Sequence, residues 1–227
     1  SFPTRRSSDL RGIGDIWTMT VEEYVKAPKL QRFRYRLHRS PWVMLTIGPL
    51  LQFMVLQRFA RRQMTKREHM SIHQTNLMIF AIALVMCLTI GWKAYLLIQV
   101  PTMFLAGVVG VWLFYVQHQF EGVQWARHEE WNFATGAVEG SSFYKLPRAL
   151  QWITGSIGYH HIHHLSPKIP NYYLEKCYKE NKIFQDVQLI TLRSSLKSLA
   201  FRLWDEETNK LVGYAGVKAY RQRHGLA

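Results

Sequence analysis

Four histidines in five residues stand in the run Gly158-Tyr159-His160-His161-Ile162-His163-His164-Leu165. Wound as a helix, this run puts His160, His163 and His164 at i, i+3 and i+4, on one face of one turn. His161 points elsewhere. Neutral imidazole is the commonest protein ligand for iron, zinc or copper, so three on one face can enter one metal site. The plain alternative is a histidine-rich surface turn. The whole chain holds ten histidines, and four of them are here.

The elements that must carry this run are apolar and basic by turns. The chain has 227 residues, is 48% hydrophobic and has a formal charge of +14 from 29 basic and 15 acidic side chains. That length suits one domain. The basic runs flank long apolar segments, which points to loops facing an anionic leaflet and argues against nucleic acid. Cys87 and Cys177 are far apart, and Cys87 lies inside an apolar run, so no disulfide is expected. Asn76–Gln117 is apolar over 42 residues with Lys93 as its only charge. Two spans of about 20 residues fit there. They are expected near 77–91 and 96–116, with a turn at Gly91–Tyr95. Pro41–Gln57 is uncharged, short and broken by Gly48-Pro49, with basic residues on both sides. Positive flanks at both ends predict a re-entrant or interfacial segment, not a crossing.

Just beyond the second expected span comes Gln117-His118-Gln119-Phe120-Glu121. A histidine at the exit of a span can reach a metal centre seated outside the bilayer. His128 stands ten residues on, beside Glu129 and Glu130, and is either a site residue or surface. His38, His69 and His73 lie in basic segments and His224 in the tail; these four are read as surface.

The run from Gly158 through Ser166-Pro167-Lys168-Ile169-Pro170-Asn171-Tyr172 resembles the third histidine box of the membrane-bound fatty-acid desaturases, in the acyl-lipid Δ12 (omega-6) branch. That box reads His-x-x-His-His, matched by His160, His163 and His164. The Gln-His-Gln-Phe-Glu stretch is also similar to the family's, and the resemblance runs from about Arg11 to the C-terminal region. It implies a fatty-acid desaturase with two non-haem iron ions (Fe2+). Such an enzyme uses O2 to insert a double bond into an acyl chain of a membrane lipid. It implies metal ligation by His118, His160, His163 and His164, with Glu121 as acceptor for a ligand imidazole and His161 uncertain. The electron donor would be ferredoxin or cytochrome b5, and a basic cytoplasmic surface suits such an acidic donor. The resemblance further implies two histidine boxes upstream of Arg11, so the chain is expected to be a C-terminal fragment, inactive alone. Ser1–Leu10 reads as translated adapter sequence and 11–227 as one desaturase domain.

The expected fold is an all-α integral membrane protein, multi-pass, with its histidine site on the cytoplasmic side. It comprises a transmembrane helical hairpin, interfacial helices, a helical histidine-rich cap and a small C-terminal β-hairpin. In the cap and near it, helices are expected at Thr20–Ala27 with Thr20 as N-cap, Leu150–Ile157, Asn171–Asn181 and Phe184–Ala200. Phe201–Trp204 and Leu211–Tyr214 pattern as a hairpin. The basic tail from Lys218 is expected to be mobile. Three other functions compete. A membrane hydroxylase or ketolase would share the chemistry. A non-catalytic remnant would keep the cluster without activity. A zinc hydrolase would want a general-base Glu as in His-Glu-x-x-His, which the box lacks.

Overall fold

The computed structural model describes residues 16–60, 64–123, 138 and 140–226. Ser1–Leu10 and His128 lie outside the described residues. The chain divides into two compact units, one made of residues 1–33 and 113–227 and the other of residues 34–112.

The first unit begins with strand β1 (Met19–Thr20) and helix α1 (Val21–Lys26). Thr20 accepts from the Glu23 backbone N–H while the Glu23 carboxylate accepts from the Thr20 N–H, a capping box that satisfies two otherwise orphaned donors. Thr20 is the N-cap that the sequence predicts. Helix α2 (Lys29–His38) follows, where the sequence reading had only a basic approach segment.

In the second unit, Pro41–Arg58 is helical but broken. It comprises α3 (Pro41–Leu45), α4 (Ile47–Leu50), a wide turn at Leu51–Val55 and a tight one at Leu56–Arg58. A proline lacks the N–H that would continue the ladder, and Pro49 stands in this break. Helix α5 (Lys66–Ile90) starts on a second capping box, Thr65 with Glu68. Gly91, at φ 85°, is the whole link to α6 (Trp92–His118), where the sequence suggested a five-residue turn. A positive φ stops a helix cheaply only at glycine. Both helices are long and apolar enough to cross a membrane, and almost none of their apolar stretch is buried within the chain. The core helix of a soluble protein would bury such surface.

The last six residues of α6, 113–118, belong to the first unit. That unit also holds β2 (Phe143–Lys145), α7 (Arg148–Ile153), α8 (His160–Leu165), α9 (Asn171–Glu180), β3 (Leu189–Thr191), α10 (Leu192–Ser195), β4 (Leu203–Asp205), β5 (Lys210–Val212) and α11 (Ala215–Arg223). The β4–β5 hairpin is antiparallel, pairing Trp204 with Leu211, as the alternation predicted. Two features depart from an all-α cap. Strand β1 pairs parallel with β4, Met19 with Leu203, and β2 pairs parallel with β3, Tyr144 with Ile190. The expected helix over Phe184–Ala200 is therefore corrected. Ile190 and Thr191 are β-branched and better suited to a pleated pairing, and a helix begins only after Thr191 caps it.

The tail is also corrected. It forms α11, tied back to the hairpin turn. Arg223 Nη2 lies 2.9 Å from Asp205 Oδ2, and its Nε lies 2.8 Å from Glu207 Oε2. The His224 ring meets the other oxygen of Glu207 at 2.5 Å. The Asp205 side chain is only 4% exposed, so its charge has few water partners to replace the guanidinium. Replacing Arg223 with Gln leaves the Asp205 carboxylate without its guanidinium and should lower the melting temperature in detergent. Lys218→Gln, on the same helix, should leave the melt nearly unchanged.

Candidate metal centre

Helix α8 is placed by its buried side. Ile162 is fully buried in a cluster with Phe143, Tyr159, Leu174 and Phe184. Phe143 stacks on Tyr159 at 4.9 Å between centroids and lies 4.7 Å from Tyr178. His161 joins this core instead of any metal group. It is fully buried, Phe143, Tyr178 and Phe184 surround its ring, and its Nε2–H donates to the Phe184 carbonyl at 3.2 Å.

The entry to α8 is equally constrained. Gly155 and Ser156 take positive φ and turn the chain out of α7. Gly158 then passes so close to β2 that an added Cβ would stand 2.3 Å from the Tyr144 carbonyl oxygen. Gln151 on α7 fills the corner, its Oε1 accepting from Gly158 N–H and its amide donating to the Tyr144 carbonyl, both at 3.3 Å.

The second contributor, the end of α6, is pinned from three sides. The Tyr115 hydroxyl lies 3.2 Å from the Ser198 carbonyl and 3.1 Å from that of Phe201. Ser142 N–H donates to the Gln117 carbonyl at 3.1 Å. The Gln119 amide reaches Thr18 Oγ1 at 3.4 Å.

These two frames bring three imidazoles together. His164 Nε2 lies 3.0 Å from His118 Nε2 and 2.9 Å from His160 Nε2. All three ligand atoms lie within 4.8 Å of one another. His118 Nδ1 lies 2.8 Å from the Phe114 carbonyl. A carbonyl only accepts, so Nδ1 carries the hydrogen and Nε2 presents its lone pair. His164 Nε2 holds one hydrogen at most, so it can satisfy only one of its two close neighbours well. A cation satisfies all three. Nitrogens ~2.1 Å from one ion stand ~3.0 Å apart when their bonds are at right angles, close to the spacings observed. The donor set therefore fits a metal ion.

Burial keeps these rings neutral. It pushes His160 well below the ordinary imidazole range, helped by the neighbouring rings. It lowers His164 to about 3, with His118 and His163 adding to the effect. Neutral imidazoles are the metal-binding form, so no proton has to leave at neutral pH.

His163 stays outside the group of three. Its side is exposed, and its ring centroid stands 5.9 Å from that of His160 and 6.4 Å from that of His164. Glu121 is placed differently from the role given it in the sequence reading. It follows the end of α6 in a turn with Gly122 at φ 86°, is 79% exposed in its side chain, and points to Lys197 at 4.0 Å. The Phe114 carbonyl does the orienting instead. The i−4 position was available from sequence, but a backbone acceptor leaves no residue-type signal. His69 and His73 are four apart on α5, a spacing passed over in sequence. Among the described residues no third ligand joins them.

Two outcomes follow. Gly158→Ala should force α8 away from β2, costing about 2–3 kcal/mol or more and lowering the metal content of purified protein. Burial also lowers His161 to about 4, with hydrogen bonds to the Phe184 and Ser142 backbone opposing it. Above pH 6.5 both folded and unfolded rings are neutral and stability is flat. Between about 6.5 and 4 the unfolded ring takes a proton that the folded one refuses. Stability should therefore fall as pH drops, by about 3 kcal/mol from this group. Metal-free melts of the wild type and His161→Phe against pH would show a shallower acid loss in the variant.

The fatty acid desaturase family model matches residues 9–191. A curated relative described as "Fatty acid desaturase", from Bacillus subtilis (strain 168), is 47% identical over 215 residues. The match covers 95% of this chain and 61% of that protein, so the chain spans less than two thirds of the relative's length.

Proposed function

Since the chain belongs to the fatty acid desaturase family, we propose that it acts as an oxidoreductase that introduces a double bond into an acyl chain of a membrane lipid, with O2 as oxidant. The observation that carries this reading is the meeting of His118, His160 and His164 at the last residue of a helix long enough to span a bilayer. The Gln-His-Gln-Phe-Glu and His-x-x-His-His stretches support the acyl-lipid Δ12 (omega-6) branch.

The proposed iron ligands are His118, His160, His163 and His164. His163, one turn from the group of three and on the exposed side, would serve the second ion. When bound, the two irons supply the O2-dependent oxidation that removes hydrogen from adjacent, unactivated methylenes, which no side-chain acid or base can do. The chain's own part is to present lone pairs. Phe114 holds the His118 hydrogen on Nδ1, burial keeps His160 and His164 neutral, and the aromatic cluster under Ile162 fixes α8 against recoil.

Membrane insertion through α5 and α6 would set the site at the bilayer surface, with acyl chains reaching it from the lipid. Positive flanks favour the cytoplasmic side for Ala60–Gln74, His118 and His160, and the opposite side for Lys93. Electrons would come from an acidic carrier of the ferredoxin or cytochrome b5 kind, attracted by the basic surface.

The test is lipid unsaturation in a host expressing the complete protein, with protein level and bound iron measured together. Single Ala replacements of His118, His160, His163 and His164 should each lose at least about 100-fold in activity and should lose iron. Normal activity at normal protein level in His118→Ala or His164→Ala would sink the metal-centre reading, as would stoichiometric zinc in place of iron.

A further inference from the structure

Helix α2 is turned inside out by the standards of a water-soluble surface. Leu30, Phe33 and Leu37 are 60%, 63% and 51% exposed, while Tyr35 is fully buried. At 100° per residue the three apolar side chains fall within an arc of about 60°. Lys29 borders this stripe on one side and Arg34 on the other, both exposed. One turn past the helix, Trp42 is 80% exposed. The charge around them has one sign. Between Glu23 and Glu68 lie 44 residues with eleven lysines or arginines and no acidic side chain.

We infer that α2 lies in the plane of the bilayer and binds anionic lipid headgroups. Leu30, Phe33 and Leu37 sink to the acyl boundary, and Lys29 and Arg34 reach up to phosphates on either side. An apolar stripe bordered by cations matches a leaflet whose interior is hydrocarbon and whose surface is negative. A protein groove could cover the stripe, but it would also have to answer a run of sequence with eleven cations and no acidic side chain within it. The inference rests on the membrane-inserted reading above and adds a lipid preference to it.

The test uses the full chain in nanodiscs of phosphatidylcholine and phosphatidylglycerol at 7:3, with Cys87 and Cys177 replaced by Ser. Nitroxides are attached at Phe33→Cys, Leu37→Cys and, as a control within α6, Ile98→Cys. Oxygen concentrates in lipid and a nickel chelate in water, so their relaxation effects report depth. Positions 33 and 37 should be oxygen-accessible at a depth of roughly 5–10 Å, and an Arg34→Cys label should be chelate-accessible. Spin-labelled phosphatidylglycerol should associate with the unlabelled protein severalfold more than phosphatidylcholine, and Lys29→Gln with Arg34→Gln should bring the two close to parity. Chelate access at 33 and 37 would overturn the inference. So would protection from both reagents, which would mean that protein covers the stripe, or equal association of the two lipids with wild type. If position 98 is also open to the chelate, the membrane-inserted reading fails with it; oxygen access at 98 alone confines the failure to α2.

Discussion

Three imidazole nitrogens meet in the first unit, with His164 Nε2 near 3 Å from those of both His118 and His160. Much of that unit's construction holds them together. His118 cannot swing away, because its far nitrogen is tied to the Phe114 carbonyl and Tyr115 and Gln117 fasten its turn of α6. His160 and His164 cannot retreat, because the opposite face of α8 is wedged into aromatic rings. A site held in this way presents its ligand nitrogens in place, and the neutral state that burial imposes on His160 and His164 removes proton competition.

His161 shows how two neighbouring residues of one type divide their tasks. Its neighbour His160 donates to the cluster, while His161 donates to the Phe184 carbonyl and packs among rings. Replacing it would disturb the metal group indirectly, through the floor on which α8 rests. A histidine in such a position is a polar core residue whose backbone hydrogen bonds fix helix rotation.

Much of this was legible in the residues, and the rest was hidden for identifiable reasons. The capping box at Thr20, the apolar length of 76–117, the Trp204–Leu211 hairpin and the helical spacing of the box all express local rules. The meeting of His118 with His160 and His164 was suggested by motif resemblance, since nothing local links residues 46 apart. The short parallel pairings β1–β4 and β2–β3 were invisible, because two- or three-residue strands carry no periodicity. Glu121 patterns as a partner for a nearby histidine, while in the structure it stands exposed beside Lys197 and the Phe114 carbonyl accepts from His118. The basic residues of α11 pattern as a loose tail in isolation, because the buried Asp205 that receives one of them lies 18 residues away in sequence.

The pairing of β1 with β4 also has a consequence for biosynthesis. Met19 and Thr20 leave the ribosome more than 180 residues before their partners Leu203 and Trp204. At roughly 5–20 residues per second, that is a wait of about 10–40 s. During this interval α5 and α6 emerge and can enter the bilayer while β1 has no strand beside it. Tyr115 likewise waits for Ser198 and Phe201. Assembly of the histidine cluster is thus ordered in time. The frame that draws the imidazoles together closes only once residues 198–204 have emerged, and α5 and α6 are free to insert before then.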